Sequence, residues 1–292
     1  MLPCTLCPRK CNIDRTKGVG FCGAPEALTA AKACLHFWEE PCISGLYGAG
    51  TVFFSGCNLR CIYCQNRPIS REGRGKEISV ARLAEIFAAL ADEGAECIDL
   101  VTPTHYADKI AEALRLTKLP IPVVYNCGGY ERVETLRRLE GLVDVYLPDF
   151  KYADAALAKR LSNAPDYPET ALSAIGEMLR QTGPFRLNED GLLTRGVLVR
   201  HLVLPGFTEN SLDAIDRLFG RFSQTEILFS LMSQYTPPAE PLPVPSLNRR
   251  LTPAEYERVT DYLYLSGVEN GYVQELSSAK EEYTPDFDLG GL

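Results

Sequence analysis

Strand-like and helix-like segments alternate six times along the chain after residue 51, and this alternation restricts the fold more than any other feature. The strand-like segments are short and apolar, and the helix-like ones repeat apolar residues every three or four positions. The predicted strands are 51–54, 97–101, 122–125, 143–147, 197–204 and 227–232. The predicted helices are 80–93, 107–116, 132–139, 153–161 with 167–180, 211–222 and 253–265. This pattern predicts an α/β protein with parallel strands and right-handed crossovers, either an open doubly wound sheet or a curved partial barrel.

The remaining segments flank or interrupt this alternation. Residues 1–50 are rich in Cys, Gly and Pro, and we expect a small N-terminal extension that builds little core of its own. Residues 51–270 are the predicted core domain, in which 185–195 is typical of a hairpin. Residues 271–292 are predicted to form an irregular covering segment, anchored by Tyr272, Val273 and Tyr283.

The composition limits the class of partner. The chain has 292 residues, 46% of them hydrophobic, and a formal net charge of −8. The charge argues against nucleic acid and against an anionic membrane, since both require a basic patch. The sequence has no run of about eighteen apolar residues and no basic and apolar signal segment at its start. We therefore expect a cytoplasmic protein whose partner is a small molecule or another protein.

Cys57, Cys61 and Cys64 form the most specific motif, Cys-x3-Cys-x2-Cys, in a loop directly after the first predicted strand. A four-iron cluster used for electron transfer alone normally has four cysteine ligands, one for each iron. Three thiolates would leave one iron open for chemistry. The alternatives are a zinc knuckle or unligated buried thiols, although zinc prefers four ligands in paired knuckles.

A second set of cysteines, Cys4, Cys7, Cys11 and Cys22, lies in the leader among glycines and a proline. Four thiolates would close a metal site, which would then be structural or electron-carrying. The spacing does not distinguish zinc from a second iron–sulfur cluster, and Cys34 or Cys42 could replace one of the four.

The loop around the three later cysteines resembles a known signature. With Tyr63 before the last cysteine, it is similar to the motif of radical S-adenosylmethionine (SAM) enzymes, and Gly56 with Gln65-Asn66 resembles the branch of the pyruvate formate-lyase activating enzyme. The resemblance implies a partial (β/α)6 TIM-like barrel, a [4Fe–4S] cluster on the three cysteines and SAM on the open iron. It also implies reductive cleavage of SAM to a 5′-deoxyadenosyl radical that abstracts a hydrogen atom.

The same resemblance, together with the position of each residue after a predicted strand, suggests which side chains bind SAM. Thr102 and Thr104 stand where many relatives carry Gly-Gly-Glu for the SAM amino group. Asp149-Phe150-Lys151 matches the Asp-x-Lys signature of glycyl radical activating enzymes, which implies Lys151 near the SAM carboxylate and Asp149 near SAM and a monovalent cation. The expected cofactor-binding residues are Tyr63, Asn66, Thr102, Thr104, Asn126, Asp149, Lys151 and Gln234.

Three further residues are candidates for a catalytic role. Arg200 and His201 are adjacent in the fifth predicted strand, so one of them must face the barrel interior. Cys127 follows the third strand and could donate a hydrogen atom if it points into the mouth. The alternatives are a paired structural arginine and a packed thiol.

Three functions remain open on sequence alone. The first is a radical SAM oxidoreductase that activates a glycyl radical enzyme, with a reductant such as flavodoxin or ferredoxin. The second is the same chemistry on a small metabolite or a peptide. The third is an iron–sulfur electron-transfer or metal-binding protein without turnover.

Overall fold

A computed structural model describes residues 3–278 and 284–292 of the chain. Among these residues there are ten strands and nine α-helices. The strands are β1 (Thr29–His36), β2 (Ala49–Phe54), β3 (Lys76–Glu77), β4 (Ile98–Val101), β5 (Val123–Cys127), β6 (Val145–Pro148), β7 (Arg186–Leu187), β8 (Leu193–Leu202), β9 (Leu228–Met232) and β10 (Gly271–Val273). The helices are α1 (Pro41–Ser44), α2 (Arg67–Ser70), α3 (Val80–Asp92), α4 (Ala107–Leu116), α5 (Val133–Leu136), α6 (Ala155–Ser162), α7 (Tyr167–Thr182), α8 (Thr208–Phe219) and α9 (Pro253–Leu265).

The strands form a mostly parallel sheet in the order β10-β9-β8-β6-β5-β4-β2-β1-β3. All neighbouring pairs from β10 to β2 are parallel, while β1 and β3 are antiparallel additions at one edge. The sheet does not close, because its two edges are formed by different, unpaired strands. The predicted partial (β/α)6 barrel is confirmed, and β7 pairs with β8 as the hairpin predicted for residues 185–195.

Alternation along the parallel strands separates two sets of side chains. One set packs against the helices: Val52, Leu100, Tyr125, Tyr146, Val199 and Phe229. The other set faces the barrel interior, and its deepest members are apolar: Ala49, Cys97, Val124, Leu198 and Leu228. Two positions further along the same strands stand Thr51, Asp99, Asn126, Arg200 and Ser230. The interior therefore changes from apolar to polar toward the carboxyl ends of the strands.

The helices begin where the sequence places capping residues. Ser79 caps α3, because its side chain accepts a hydrogen bond from the backbone N–H of Arg82. Thr252 and Glu255 form the capping box predicted for α9, with Pro253 at the first helical position. The buried face of α3 consists of Leu83, Ala84, Ile86, Phe87 and Leu90. These caps and apolar faces hold the helices against the outer side of the sheet.

The leader and the C-terminal segment are both part of the sheet. β1 pairs with β2 along most of its length, and the predicted boundary at residue 50 falls inside β2. β10 extends the parallel sheet beyond β9, within the segment expected to be irregular. Backbone bonds from Ala33 to Gly290 and from Leu289 to Ala31 attach the C-terminus to β1. Tyr283 lies outside the described residues.

None of the helices in residues 3–278 and 284–292 is both long enough and apolar enough to cross a membrane.

Candidate active site

A cavity of about 200 Å³ opens at the carboxyl ends of the parallel strands. Its walls combine the cysteine loop, Asn126 of β5, the residues that follow β6 and β9, the interior face of β8 and residues from the leader and the C-terminal segment. Ligands of parallel α/β folds bind at this edge of the sheet. The polar, charged and thiol side chains that line it include Glu39, Glu40, Cys61, Tyr63, Cys64, Asn66, Asn126, Asp149, Lys151, Arg200 and Gln234.

The loop of Cys57, Cys61 and Cys64 forms one wall of the cavity. Its sharp course depends on two positive backbone angles, φ 91° at Gly56 and φ 49° at Arg60. The loop therefore turns back on itself directly after β2 and collects the three thiols within a few residues.

Each of the three thiols has a hydrogen-bond donor of its own. Leu59 N–H donates to Cys57 Sγ at 3.4 Å, Ser162 Oγ donates to Cys61 Sγ at 3.0 Å, and Ser70 Oγ donates to Cys64 Sγ at 3.4 Å. Hydrogen bonds to sulfur stabilise thiolates and tune the potential of a cluster. This donor set fits three cysteine ligands of a [4Fe–4S] cluster, and two of the three, Cys61 and Cys64, line the cavity.

Among residues 3–278 and 284–292, no group of three or more His, Cys, Asp or Glu side chains is arranged to hold a single metal ion. In a cubane cluster each thiolate binds a different iron, so its cysteines stand further apart than around one zinc ion.

In the same cavity, five charged and polar side chains form a connected network. Arg200 donates to Asp149 Oδ1 at 3.0 Å, to Glu39 Oε2 at 2.9 Å and to Asn126 Oδ1 at 2.6 Å. Lys151 Nζ donates to the second oxygen of Asp149 at 2.5 Å. Both oxygens of Asp149 thus face a cation already, which leaves little attraction for a monovalent metal ion at this carboxylate.

Asp149 and Lys151 stabilise each other's charged forms. Burial alone would raise the pKa of Asp149, but the positive charges of Lys151 and Arg200 hold it below its usual range. Burial alone would lower the pKa of Lys151, but the Asp149 carboxylate outweighs it and the pKa is raised. Lys151 therefore presents a permanent cation to the cavity.

Two further buried carboxyl groups near the network, those of Glu40 and Asp99, have raised pKa values. Burial raises the pKa of Glu40 to about 7, and Arg200 counters part of that effect. Ser230 Oγ donates to Glu40 Oε2 at 3.0 Å. Burial also raises the pKa of Asp99 well above its usual range, and its Oδ1 has no hydrogen-bond partner among the described residues. Glu40 lines the cavity, whereas Asp99 is fully buried beneath the surface, and both carboxyl groups tend to keep their protons.

Seven of the residues predicted to bind SAM or substrate line this one cavity: Tyr63, Asn66, Asn126, Asp149, Lys151, Arg200 and Gln234. Of the pair in the fifth predicted strand, Arg200 faces the interior. His201 points outward, where its ring nitrogens contact Phe150 O at 2.6 Å and Ser211 Oγ at 2.9 Å, and burial lowers its pKa to about 4.

Cys127, Thr102 and Thr104 do not line the cavity. Cys127 is one position beyond Asn126 and so falls on the outer face of β5, buried against the helices. Thr104 Oγ1 donates to Glu131 at 2.6 Å, within the same outer layer. Thr102 has φ 60° at the end of β4, and its N–H donates to Asn126 O. The structure thus separates these three from the other predicted site residues.

All eleven cysteines are unpaired thiols. In the leader set, Cys7 and Cys22 are buried, while Cys4 and Cys11 are half-buried. The proposed substitutes lie elsewhere. Cys34 is in the middle of β1, and Cys42 is in α1, where it packs against the apolar floor of the barrel.

Several residues in or near the site were not among the sequence predictions. Glu39 and Glu40 lie in the turn after β1 and line the cavity; β1 is antiparallel to β2, and its last residue, His36, pairs with Ala49 at the start of β2. Ser230 and Asp99 are interior positions of β9 and β4. The period of two could have found Asp99 and Ser230, since polar residues inside buried parallel strands are unusual.

Comparison with known proteins agrees with this geometry. The family model described as the radical SAM superfamily matches residues 51–219. The chain is 30% identical over 270 residues to the uncharacterized protein MJ0674 of Methanocaldococcus jannaschii, which covers 88% of this chain and 73% of the relative.

Two solved structures share the fold. SuiB of Streptococcus suis, bound to S-adenosylmethionine, gives a TM-score of 0.51 at 16% identity over 77% of this chain and 47% of SuiB. This chain therefore spans about half the length of SuiB. Methylornithine synthase (PylB) gives a TM-score of 0.50 at 13% identity over 74% of this chain and 68% of PylB.

The segment matched by the family model contains the three-cysteine loop, Asp149, Lys151 and Arg200, and it makes up more than half of the chain. The chain therefore belongs to the radical SAM superfamily.

Proposed function

We propose that this protein cleaves SAM reductively in the cavity beside Cys57, Cys61 and Cys64 and uses the product radical to abstract a hydrogen atom from a substrate. The observation that carries the proposal is that Cys61 and Cys64 line the same cavity as Asn126, Lys151 and their neighbours. When bound, the cluster and SAM that the family implies supply the one-electron cleavage that yields methionine and a 5′-deoxyadenosyl radical. The protein holds, orients and shields these groups.

The side chains of the cavity divide the work of binding SAM. Lys151 offers a fixed positive charge for the methionyl carboxylate, and Asp149 and Arg200 keep that lysine in place. Asn126, Gln234, Tyr63 and Asn66 offer polar and aromatic contacts. Since Thr102 and Thr104 lie elsewhere, we assign the contact with the ammonium group to Glu39, a carboxylate in the cavity wall.

Two classes of substrate fit this site. The Asp149-Phe150-Lys151 motif supports a protein substrate, as in the activating enzymes of glycyl radical enzymes. Glu40, a carboxyl group that lines the cavity and accepts a hydrogen bond from Ser230, supports a small polar molecule that enters the barrel. The required reductant is a one-electron donor of the flavodoxin or ferredoxin class. Cys4, Cys7, Cys11 and Cys22 of the leader form a candidate second metal site.

Anaerobic incubation with SAM and dithionite, in deuterated solvent, tests the proposal and separates the substrates. Formation of 5′-deoxyadenosine supports SAM cleavage, and its absence from protein with an intact cluster would leave only a non-catalytic iron–sulfur role. A glycyl radical signal on an added partner protein supports activation. Deuterium incorporated into a small molecule from cell extract, without any protein radical, favours the small-molecule class.

A further inference from the structure

We propose that Cys4, Cys7, Cys11 and Cys22 hold a second, closed four-iron cluster and that this cluster passes electrons to the one at Cys57, Cys61 and Cys64. The site itself is inferred from the leader alone. Its role as a relay rests on the proposed cleavage of SAM.

The backbone of the leader brings the four cysteines together. Cys4 N–H donates to Ile13 O at 2.9 Å, and Asn12 N–H donates to Cys4 O at 3.0 Å, so Cys4 lies beside the residues that follow Cys11. Lys10 N–H donates to Cys7 O at 3.1 Å and closes the turn between Cys7 and Cys11. Cys7 and Cys11 thus lie at the two ends of one tight turn, and the backbone of Cys4 lies beside that turn.

The thiols of Cys11 and Cys22 accept hydrogen bonds of the kind found at the catalytic loop. Phe21 N–H donates to Cys11 Sγ and Ala24 N–H donates to Cys22 Sγ, both at 3.5 Å. Gly20 allows this approach, because a Cβ at that position would lie 2.9 Å from Cys11 Sγ. Backbone donors aimed at sulfur are a common feature of cysteine-ligated metal sites.

The arrangement suits a cluster better than zinc. As at the catalytic loop, no three of these side chains in the described part of the leader converge on a position for a single ion. Zinc requires all four sulfurs within one tetrahedral shell, whereas a cubane places each sulfur on a separate iron.

The leader site contacts the catalytic loop directly. Cys57 N–H donates to Cys22 O at 3.1 Å, so one backbone hydrogen bond joins a ligand of each site. Arg60 Nη1 donates to Phe21 O at 3.1 Å. Arg9 donates to Asn58 O at 2.9 Å, and its guanidinium lies 3.8 Å from the centre of the Phe21 ring. These contacts hold the leader cysteines directly against the catalytic loop.

Cys4 and Cys11 are half-buried, while Cys7 and Cys22 are buried. Residues 3–23 carry four basic side chains and one acidic one, Asp14, although the whole chain has a net charge of −8. Arg15 is buried, whereas Lys10 and Lys17 are exposed. The exposed lysines fit an acidic donor protein of the flavodoxin or ferredoxin class.

Electrons balance along this route. One electron leaves the reduced donor protein, passes through the leader cluster to the catalytic cluster and enters the sulfonium of SAM, whose C5′–S bond breaks. The donor is oxidised, methionine and the 5′-deoxyadenosyl radical are the products, and both clusters return to their starting state.

The occupant of the leader site is tested in full-length protein with Cys57→Ala, Cys61→Ala and Cys64→Ala together, purified without oxygen. Iron and sulfide equal to one cubane per chain, with a paramagnetic signal after reduction, are the expected result. Zinc alone, or no metal, would overturn the inference. This readout does not depend on SAM cleavage, so it stands even if the proposed function fails.

The relay is tested with Cys11→Ser, with Cys34→Ser as the matched control because Cys34 lies in β1 away from the four. For Cys11→Ser, 5′-deoxyadenosine formation driven by reduced flavodoxin should fall about tenfold or more. Formation driven by dithionite, which can reach the catalytic cluster directly, should change much less. Equal losses with both reductants, at unchanged iron content of the catalytic cluster, would refute the relay.

Discussion

Arg200 is the residue on which the geometry of the cavity depends most. Its guanidinium joins Asp149, Glu39 and Asn126, which come from three separate segments of the chain. Its side chain is only 12% exposed, so these are interior ion pairs and not surface ones. Only a planar fork can bridge three acceptors in this way.

Replacing Arg200 with Met should destabilise the protein by about 3–5 kcal/mol, because it leaves Glu39 buried without its cationic partner and Asp149 with Lys151 alone. Urea denaturation at pH 7 measures the loss. Arg82→Met is the control, since Arg82 pairs with Glu85 on the exposed face of α3 and should cost less than about 0.5 kcal/mol. Equal small effects for both variants would show that the network does not stabilise the fold.

Glu40 should make stability depend on pH in a defined direction. Its folded pKa of about 7 lies above the usual 4.5, because burial favours the protonated form. The folded state therefore binds more protons than the unfolded state between these values, and stability falls as pH rises from 4.5 to 7.

The Gln variant of Glu40 cannot ionise and should lack this loss. Relative to the wild type, Glu40→Gln should gain up to about 3 kcal/mol between pH 4.5 and pH 7.5. Denaturant unfolding of both proteins at several pH values measures the difference. Parallel curves across this range would show that Glu40 titrates normally in the fold.

At the scale of single residues, sequence was most informative where chemistry demands a fixed spacing. The cysteine loop and the Asp149–Lys151 pair were predicted together and are found at one cavity. Glu39 and Glu40 were not predicted, because their position depends on how β1 pairs with β2. Alternation required one of Arg200 and His201 to face inward, but only the register of β8 decides which.

At the scale of elements, the turn from β2 into the cysteine loop is the most constrained. Gly56 has φ 91°, and a Cβ there would lie 3.0 Å from both Ala24 Cβ and Cys22 O. A side chain at this position would push the leader away from the loop.

Gly56→Ala should therefore cost more stability than Gly73→Ala, which also has positive φ, 71°, but open space around its Cβ position. We expect about 1 kcal/mol for the strain alone at Gly73 and about 1–3 kcal/mol more at Gly56. Thermal unfolding gives the two values, and iron content should fall only for Gly56→Ala. A cost at Gly56 no greater than at Gly73 would contradict the close packing described here.

The elements predicted from periodicity agree well with the structure. α4 and α9 have the predicted bounds, and each predicted strand overlaps an observed one. The missed elements were β1, β10 and the short pieces α1, α2, β3, for a common reason. They are short, or they form only by pairing along an edge that the long core strands create, so their own residues carry little periodic signal.

For the whole molecule, leader, barrel and C-terminus form a continuous structure. The leader supplies β1, two acidic residues of the cavity and the cysteines beside the catalytic loop. Phe287 packs edge-on against Phe53, and Thr284 and Pro285 line the mouth. Removing either end should therefore damage the site as well as the fold.

The central claim is that the three-cysteine loop and its cavity cleave SAM, and the most direct test is quantification of 5′-deoxyadenosine after anaerobic reduction with SAM. Wild-type protein with its cluster is expected to form 5′-deoxyadenosine and methionine in equal amounts. Cys61→Ala should form neither, while a control such as Cys34→Ser retains the activity. Undiminished 5′-deoxyadenosine from Cys61→Ala, or none from cluster-loaded wild type, would contradict this account.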